Sequence, residues 1–358
     1  MSSKVTLFIG DLSIGGAERV TVNLANQLSE NGHQVEVLVI SQQGKLINEL
    51  SPDVRLSVLP VNRMLWSIIP LAKHLRQSQS DVIIPMMAGP NILTILSRKI
   101  SLTSPQVIVT EHINRTNNYH NELHDIFPKY LYKYADNVVG VSEGVTEHIK
   151  DWAKIDPDKV TTIYNPVVNE GITKISPQTP SEFKRNSKTI LGVGRHTPQK
   201  DFKTLIRSFA ILSKEYSEDV QLIILGKGEC TSEYKSLAGR LNIREDVYFP
   251  GFVDDPFQYM SNADVFCLSS RLEGLANVLI EAMACGTPVV STDCPSGPAE
   301  VLKNGKYGKL VPIEDPEAMK SALITTLENP ISAEKLKKRA QDFSIEESTK
   351  KYEALFED

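Results

Sequence analysis

Cysteine is scarce in this sequence, with four residues among 358 (Cys230, Cys267, Cys285, Cys294), all in the second half and none in a CxxC pair. They read as reduced, mostly buried thiols, as in a cytoplasmic protein, and they exclude a disulfide framework. Positive charge is in deficit: 39 Lys and Arg stand against 44 Asp and Glu, a net charge of −5. No basic stripe interleaved with aromatics is present, which leaves a nucleic-acid partner without electrostatic support. Long apolar runs are missing too. The longest nearly unbroken one, Met64 to Ala72, is about half the length of a spanning helix and contains Ser67 and Pro70, so no transmembrane segment is expected. Met1 to Gly10 lacks the basic start and apolar core of a signal peptide, and Asp11 ends the run, so the protein is expected in the cytoplasm. Internal repeats and low-complexity tracts are absent as well.

What remains is the balance of a soluble globular protein, 41% hydrophobic and 23% charged. At ~150 residues per domain the length suggests two cores. Short apolar runs alternate with helical patterns, as in strands buried on both faces of a parallel sheet. The first series is Val5–Ile9, Val35–Ile40, Val54–Leu59, Asp81–Met87, Val107–Thr110, Asn137–Val141 and Val160–Tyr164, with a clear helix at Ala17–Asn31 stopped by Gly32. The second is Thr189–Gly194, Gln221–Leu225, Val247–Phe249, Asp264–Leu268 and Pro288–Ser291, with helices starting near Asp201, Thr231, Pro256 and Leu275. Pro166, Pro177 and Pro180 among polar residues mark a linker between them. After Pro312 the pattern is helical, over Asp315–Glu328 and from Ser332 to the end. The expected organisation is a Rossmann-like domain over 1–168, a linker over 169–187, a second Rossmann-like domain over 188–340, and a C-terminal helix over 341–358 packing back on the first domain. Two such domains would leave a cleft between the carboxyl ends of their sheets, where ligands of α/β folds bind.

Candidate chemistry concentrates in the second half. Glu273 precedes a helix opening at Gly274-Leu275-Ala276, and Glu281 lies within it; eight helical positions at ~1.5 Å span about 12 Å, comparable to the sugar-to-ribose length of a nucleotide sugar. Amides near Leu275 and Ala276 would face a diphosphate between those ends. The other reading is a loop acid and a solvated helix acid. Gly194 lets backbone approach a ligand, and Arg195 and Lys200 bring two cations, although the same residues suit a plain strand-to-helix turn.

Gly194-Arg195, Lys200-Asp201, Gly226-Lys227-Gly228, Gly251-Phe252-Val253, and Glu273 and Glu281 with seven residues between them together resemble a retaining glycosyltransferase of family 4 with the GT-B fold. Gly15-Gly16-Ala17-Glu18-Arg19 resembles bacterial members that act on lipid-linked glycans and surface polysaccharides. The resemblance implies that Arg195 and Lys200 hold the donor diphosphate, Glu281 the ribose and Glu273 the transferred sugar. It also implies that Gly251 to Val253 border the nucleobase, and that Gly15 and Gly16 close on the phosphates. His112, at the carboxyl end of a strand, matches a histidine near the reacting sugar, and Asn165 an asparagine at the cleft. His196, beside Arg195, departs from the residue types usual there. The fold class implied is GT-B, two Rossmann-like parallel-sheet domains facing across a cleft.

For a metal, Asp156-Pro157-Asp158 is the only Asp-x-Asp, and between a helix and a strand it reads as turn chemistry. No cofactor is expected, and the reaction should be metal-independent. Arg63 to Arg76 combines bulky apolar residues with bases, which suits a packed helix or contact with lipid. The function expected is transfer of a hexose or N-acetylhexosamine, from a UDP-sugar by preference, to a hydroxyl of a polyprenyl-diphosphate-linked oligosaccharide. Peripheral contact at the cytoplasmic face of the inner membrane would accompany it. The rivals are another GT-B enzyme, such as a nucleotide-sugar epimerase, and a non-catalytic sugar-binding protein.

Overall fold

The computed structural model describes residues 2–13, 15–114, 122–173 and 178–356. Residues 174–177 of the expected linker and 357–358 of the expected C-terminal helix lie outside them. Seven strands, β1 (Lys4–Phe8), β2 (Gln34–Val39), β3 (Arg55–Val58), β4 (Val82–Pro85), β5 (Gln106–Glu111), β6 (Asn137–Gly140) and β7 (Val160–Thr162), form a sheet in the order β3-β2-β1-β4-β5-β6-β7. Six more, β8 (Lys188–Val193), β9 (Val220–Leu225), β10 (Val247–Gly251), β11 (Val265–Leu268), β12 (Val289–Thr292) and β13 (Lys309–Val311), form a second in the order β10-β9-β8-β11-β12-β13. Every pairing is parallel. In both sheets the first strand is central and the order reverses beside it, as in doubly wound nucleotide-binding folds. β13 was not expected: three residues with Lys309 exposed are too short to show a periodicity.

The chain divides into two compact units, residues 1–167 with 343–358, and residues 168–342. Helices cover both faces of each sheet, which is why all six residues of β9 are buried. Helix starts carry their own signals: Asp315 accepts from the Ala318 amide ahead of Pro316, and Asp255 from that of Phe257 ahead of Pro256. Within the expected linker, Glu170–Thr173 forms a single helical turn.

The helix expected from Ser332 onward is two, Ala333–Ala340 and Ile345–Phe356, separated by a 3₁₀ turn over Gln341–Phe343 that buries Phe343. The last helix belongs to the first unit. It packs on the helix Gly16–Glu30, buries Tyr352 in that unit's core, and accepts a bond from Gln106 Nε2 at Leu355 O (2.6 Å).

Candidate active site

In the second unit the strand order reverses between β8 and β11, so the segments leaving these two strands diverge and frame a crevice at the carboxyl edge of the sheet. The two exits are laced together. The Arg271 amide donates to Gln199 O (2.8 Å), Gln199 Nε2 to Leu272 O (2.8 Å), and Ser269 Oγ to Lys200 O (2.8 Å). Lys200 Nζ then lies 2.5 Å from Glu273 Oε1, and Ser270 Oγ donates to the same oxygen at 2.6 Å. Glu273 is only 9% exposed, and its Oε2 makes no hydrogen bond among the described residues. A buried carboxylate held by one oxygen keeps the other as an acceptor.

Glycines bring the neighbouring loops against each other. A Cβ on Gly226, at φ +115, would stand 2.0 Å from Gly194 O, and one on Gly228 would stand 2.4 Å from His196 O. The stem of Lys200 lies over Gly194, and that of Lys227 over Gly251. His196, which the sequence left without a role, joins these loops. Its amide donates to Lys227 O (3.0 Å) and its carbonyl accepts from the Cys230 amide (2.9 Å). Its Nδ1 lies 2.9 Å from Thr231 Oγ1, and its ring packs against Phe202, Tyr234 and Phe249. Fully buried, it is pushed below the usual histidine pKa by desolvation.

Arg195 is exposed and has no carboxylate partner among the described residues. Lys227 is the same, a second uncompensated cation that the sequence reading did not assign; its signal was a base between two glycines past the end of β9. Phe252, 42% exposed, and Val253 follow Gly251 at a register shift between β9 and β10.

The helix bearing Glu281 is shorter than expected. It runs from Asn277 to Cys285, and Ala276 before it is left-handed, at φ +66 and ψ 58. The 12 Å helical ruler therefore does not apply, because half of the Glu273-to-Glu281 path is loop. The helical amides begin at Asn277 rather than Leu275. Gly274, Leu275 and Ala276 are buried, and a Cβ on Gly297 would stand 2.8 Å from the carbonyl carbon of Leu275, so Gly297 backs that turn closely. Glu281 is half-buried on the helix.

The first unit carries the other candidates. At the end of β5 a buried network runs from Asn91 Nδ2 to Tyr132 Oη (2.9 Å) and from there to Glu111 Oε2 (2.8 Å), and Asn91 also donates to Thr110 O (2.7 Å). Thr110 gives its hydroxyl proton to Pro85 O (2.8 Å), so toward His112 Nε2, 3.2 Å away, it accepts. That assigns the ring proton to Nε2 and leaves a lone pair on Nδ1. Burial lowers the pKa of His112 to about 4, so the ring is neutral at pH 7. Gly15 and Gly16 open the helix Gly16–Glu30, and the Glu18 carboxylate lies over Gly15, where an added Cβ would meet Oε2 at 2.2 Å. An anion approaching Gly15 would therefore meet Glu18. Asn165 follows β7 and is buried, 6% exposed. Asp156 Oδ1 accepts from the Asp158 amide (3.1 Å), capping a 3₁₀ turn. Among the described residues no three His, Cys, Asp or Glu side chains are grouped to hold a metal ion.

The second unit thus brings exposed cations and a half-used buried carboxylate together at the switch point of a doubly wound sheet. Comparison with known proteins makes the class definite. Residues 176–343 match the model for glycosyl transferases group 1, and residues 14–170 that for glycosyltransferase family 4. The chain is 30% identical over 341 residues to the N-acetylgalactosamine-N,N'-diacetylbacillosaminyl-diphospho-undecaprenol 4-alpha-N-acetylgalactosaminyltransferase of Campylobacter jejuni, covering 91% of this chain and 90% of that one. It is 27% identical, over 96% of this chain and 95% of the other, to the same organism's GalNAc-alpha-(1->4)-GalNAc-alpha-(1->3)-diNAcBac-PP-undecaprenol alpha-1,4-N-acetyl-D-galactosaminyltransferase. Anabaena HepE, solved in complex with UDP, superposes with a TM-score of 0.82 at 19% identity, covering 98% of both chains. The fold is GT-B, and the chain belongs to the family 4 glycosyltransferases.

Proposed function

We propose that this glycosyltransferase moves an N-acetylhexosamine or hexose from a UDP-sugar to a hydroxyl of a polyprenyl-diphosphate-linked glycan, with retention at the anomeric carbon and without a metal ion. The observation that carries the reading is the switch-point constellation of Lys200 on Glu273 with, among the described residues, no acidic partner on Arg195 and no hydrogen bond to Glu273 Oε2. Arg195 and Lys200 meet the charge that grows on the departing diphosphate, since preorganised cations stabilise a transition state more than a ground state. Glu273 Oε2 accepts from a hydroxyl of the transferred sugar, and Glu281 from the ribose. Lys227 adds a cation on the nucleotide side.

Retention is what the family resemblance implies, and the way Glu273 is held supports a route to it without a covalent intermediate. A carboxylate bonded to an ammonium and a hydroxyl is a poor nucleophile, which favours transfer on one face over a covalent intermediate. In that step the anomeric carbon–phosphate oxygen bond breaks, the acceptor oxygen bonds to the same face, and the acceptor proton passes to the leaving phosphate oxygen. Both Campylobacter relatives are named for N-acetylgalactosamine transfer to undecaprenol-linked glycans, which supports the acceptor class, and UDP in HepE supports the donor. For Gly15, Gly16, His112 and Asn165 the proposed roles are those that the family resemblance implies.

The test is incubation of the protein, in EDTA, with UDP-sugars and a synthetic polyprenyl-diphosphate disaccharide. A lengthened glycan with an α-linkage from an α-donor is the expected product. Release of no sugar from any donor would favour a binding protein, epimerised donor an epimerase, and activity restored only by Mg²⁺ or Mn²⁺ would end the metal-free reading.

A further inference from the structure

Three large apolar side chains of the first unit stand in solvent close together in the chain: Leu65 is 80% exposed, Trp66 70% and Ile69 75%. They sit on a 3₁₀ turn, Met64–Ser67, that runs directly into the helix Ile68–Ser78. The other side of that helix, Leu71, Ala72 and Leu75, is buried, and Ser97 Oγ donates to Ile68 O (3.0 Å), fixing its start to the helix Ala88–Ser101. Leu65, Ile69 and Lys73 follow at four-residue spacing and so share the outward side. Packing therefore accounts for one side of the Arg63 to Arg76 segment and leaves the bulkiest residues of the other unused.

The charge around them is one-sided. From Val54 to Ser80 the sequence carries Arg55, Arg63, Lys73 and Arg76 and no Asp or Glu, in a chain whose net charge is −5. Arg63 and Lys73 are exposed and make no ion pair among the described residues. The turn is also well placed. Met64 reaches back so that its Cε stands 3.2 Å from where a Cβ on Gly10 would be, just past β1, and its Cγ 3.9 Å from the same point on Gly89. This puts the patch at the carboxyl edge of the first sheet, the edge where α/β folds bind ligands.

We propose that Leu65, Trp66 and Ile69, flanked by Arg63 and Lys73, dock this protein on an anionic phospholipid bilayer. An aliphatic and indole cluster beside unpaired bases matches the headgroup–acyl boundary, where apolar side chains insert a few ångströms and cations meet lipid phosphates. Among the described residues no helix is long and apolar enough to cross a membrane, so the contact is peripheral. The proposal rests on the lipid-linked acceptor for its purpose and on the patch alone for its chemistry.

The experiment is flotation of the full chain with vesicles of phosphatidylcholine, alone or mixed with phosphatidylglycerol. The wild type floats with the mixed vesicles, less so as salt rises. Replacing Leu65, Trp66 and Ile69 together by Ser lowers the partition by on the order of 100-fold. Arg63→Glu with Lys73→Glu lowers it by roughly fivefold or more per site and flattens the salt dependence. In a Trp152→Phe background, the Trp66 emission shifts to the blue on vesicle addition. Donor hydrolysis without acceptor is unchanged in every variant, which shows that they fold. Failure of the wild type to float with mixed vesicles, equal flotation of the triple Ser variant, or dimerisation through the patch in place of vesicle binding would overturn the docking. Flotation without transfer to a polyprenyl-linked acceptor supports the docking and refutes the acceptor. Transfer to a water-soluble acceptor fragment by a protein that never floats supports the enzyme and refutes the docking.

Discussion

Lys200 and Glu273, 73 residues apart in sequence, place ammonium and carboxylate 2.5 Å apart at the switch point of the second sheet. The two charges thus hold each other, and changing either one alters the other. Glu273→Gln removes the charge that Lys200 faces, so the affinity for UDP should stay level or rise a few-fold while sugar transfer falls. Calorimetry with UDP beside a turnover assay reads both quantities, and a large loss of UDP affinity would contradict the assignment.

Arg195→Ala and Lys200→Ala should differ in kind. Both lower kcat by on the order of 10²-fold if each cation stabilises the departing phosphate. Only Lys200→Ala also lowers thermal stability, by about 1–3 kcal/mol, because it leaves the buried Glu273 carboxylate without its charged donor. Arg195, exposed and unpaired among the described residues, should cost almost nothing in a melt.

Glu281→Gln should weaken the UDP-sugar and free UDP equally, since a charged acceptor to ribose hydroxyls is lost from both and contributes ~1.5–3 kcal/mol. A variant that lost affinity for the sugar nucleotide but not for UDP would move Glu281 away from the ribose.

His112 sets an acid limit on stability. Its folded pKa, about 4, lies below the ordinary histidine value of 6.5, so the unfolded chain binds the proton more tightly. The associated penalty is absent above about pH 6.5 and grows as the pH falls toward 4. Melting wild type and His112→Gln across this range should show the wild type losing more stability than the variant as the pH falls, while a histidine NMR titration finds His112 neutral at pH 6. Parallel melting curves would mean that its folded pKa is ordinary.

The sheets were legible in the sequence because helices on both faces force strands such as β9 to be buried and nearly all apolar, and Arg195, Lys200, Glu273 and Glu281 were singled out because their spacing resembles a family pattern. Their mutual geometry was not. The Lys200–Glu273 bond depends on strand order, which brings the ends of β8 and β11 together without any local signal. Ala276 takes a left-handed conformation that usually calls for glycine, so nothing in the sequence announced the later helix start. His196 acts through Phe202, Tyr234 and Phe249, each on a different element, and only tertiary packing assembles that cage. The glycines were visible as turn residues, but that Gly226 must lack a Cβ because Gly194 O occupies the place could be read only from coordinates.

The helix Ile345–Phe356 gives the two units different histories during synthesis. The second unit is one continuous stretch, whereas the first needs residues on both sides of it. As the chain leaves the ribosome, the first sheet emerges early, yet the place of Tyr352 in its core stays unfilled until the helix Ile345–Phe356 arrives. The second unit can therefore mature first although it is made later. Until that helix emerges, the first unit keeps an apolar gap open, and a stop codon shortly before Tyr352 would leave that gap permanent while the second unit folded normally.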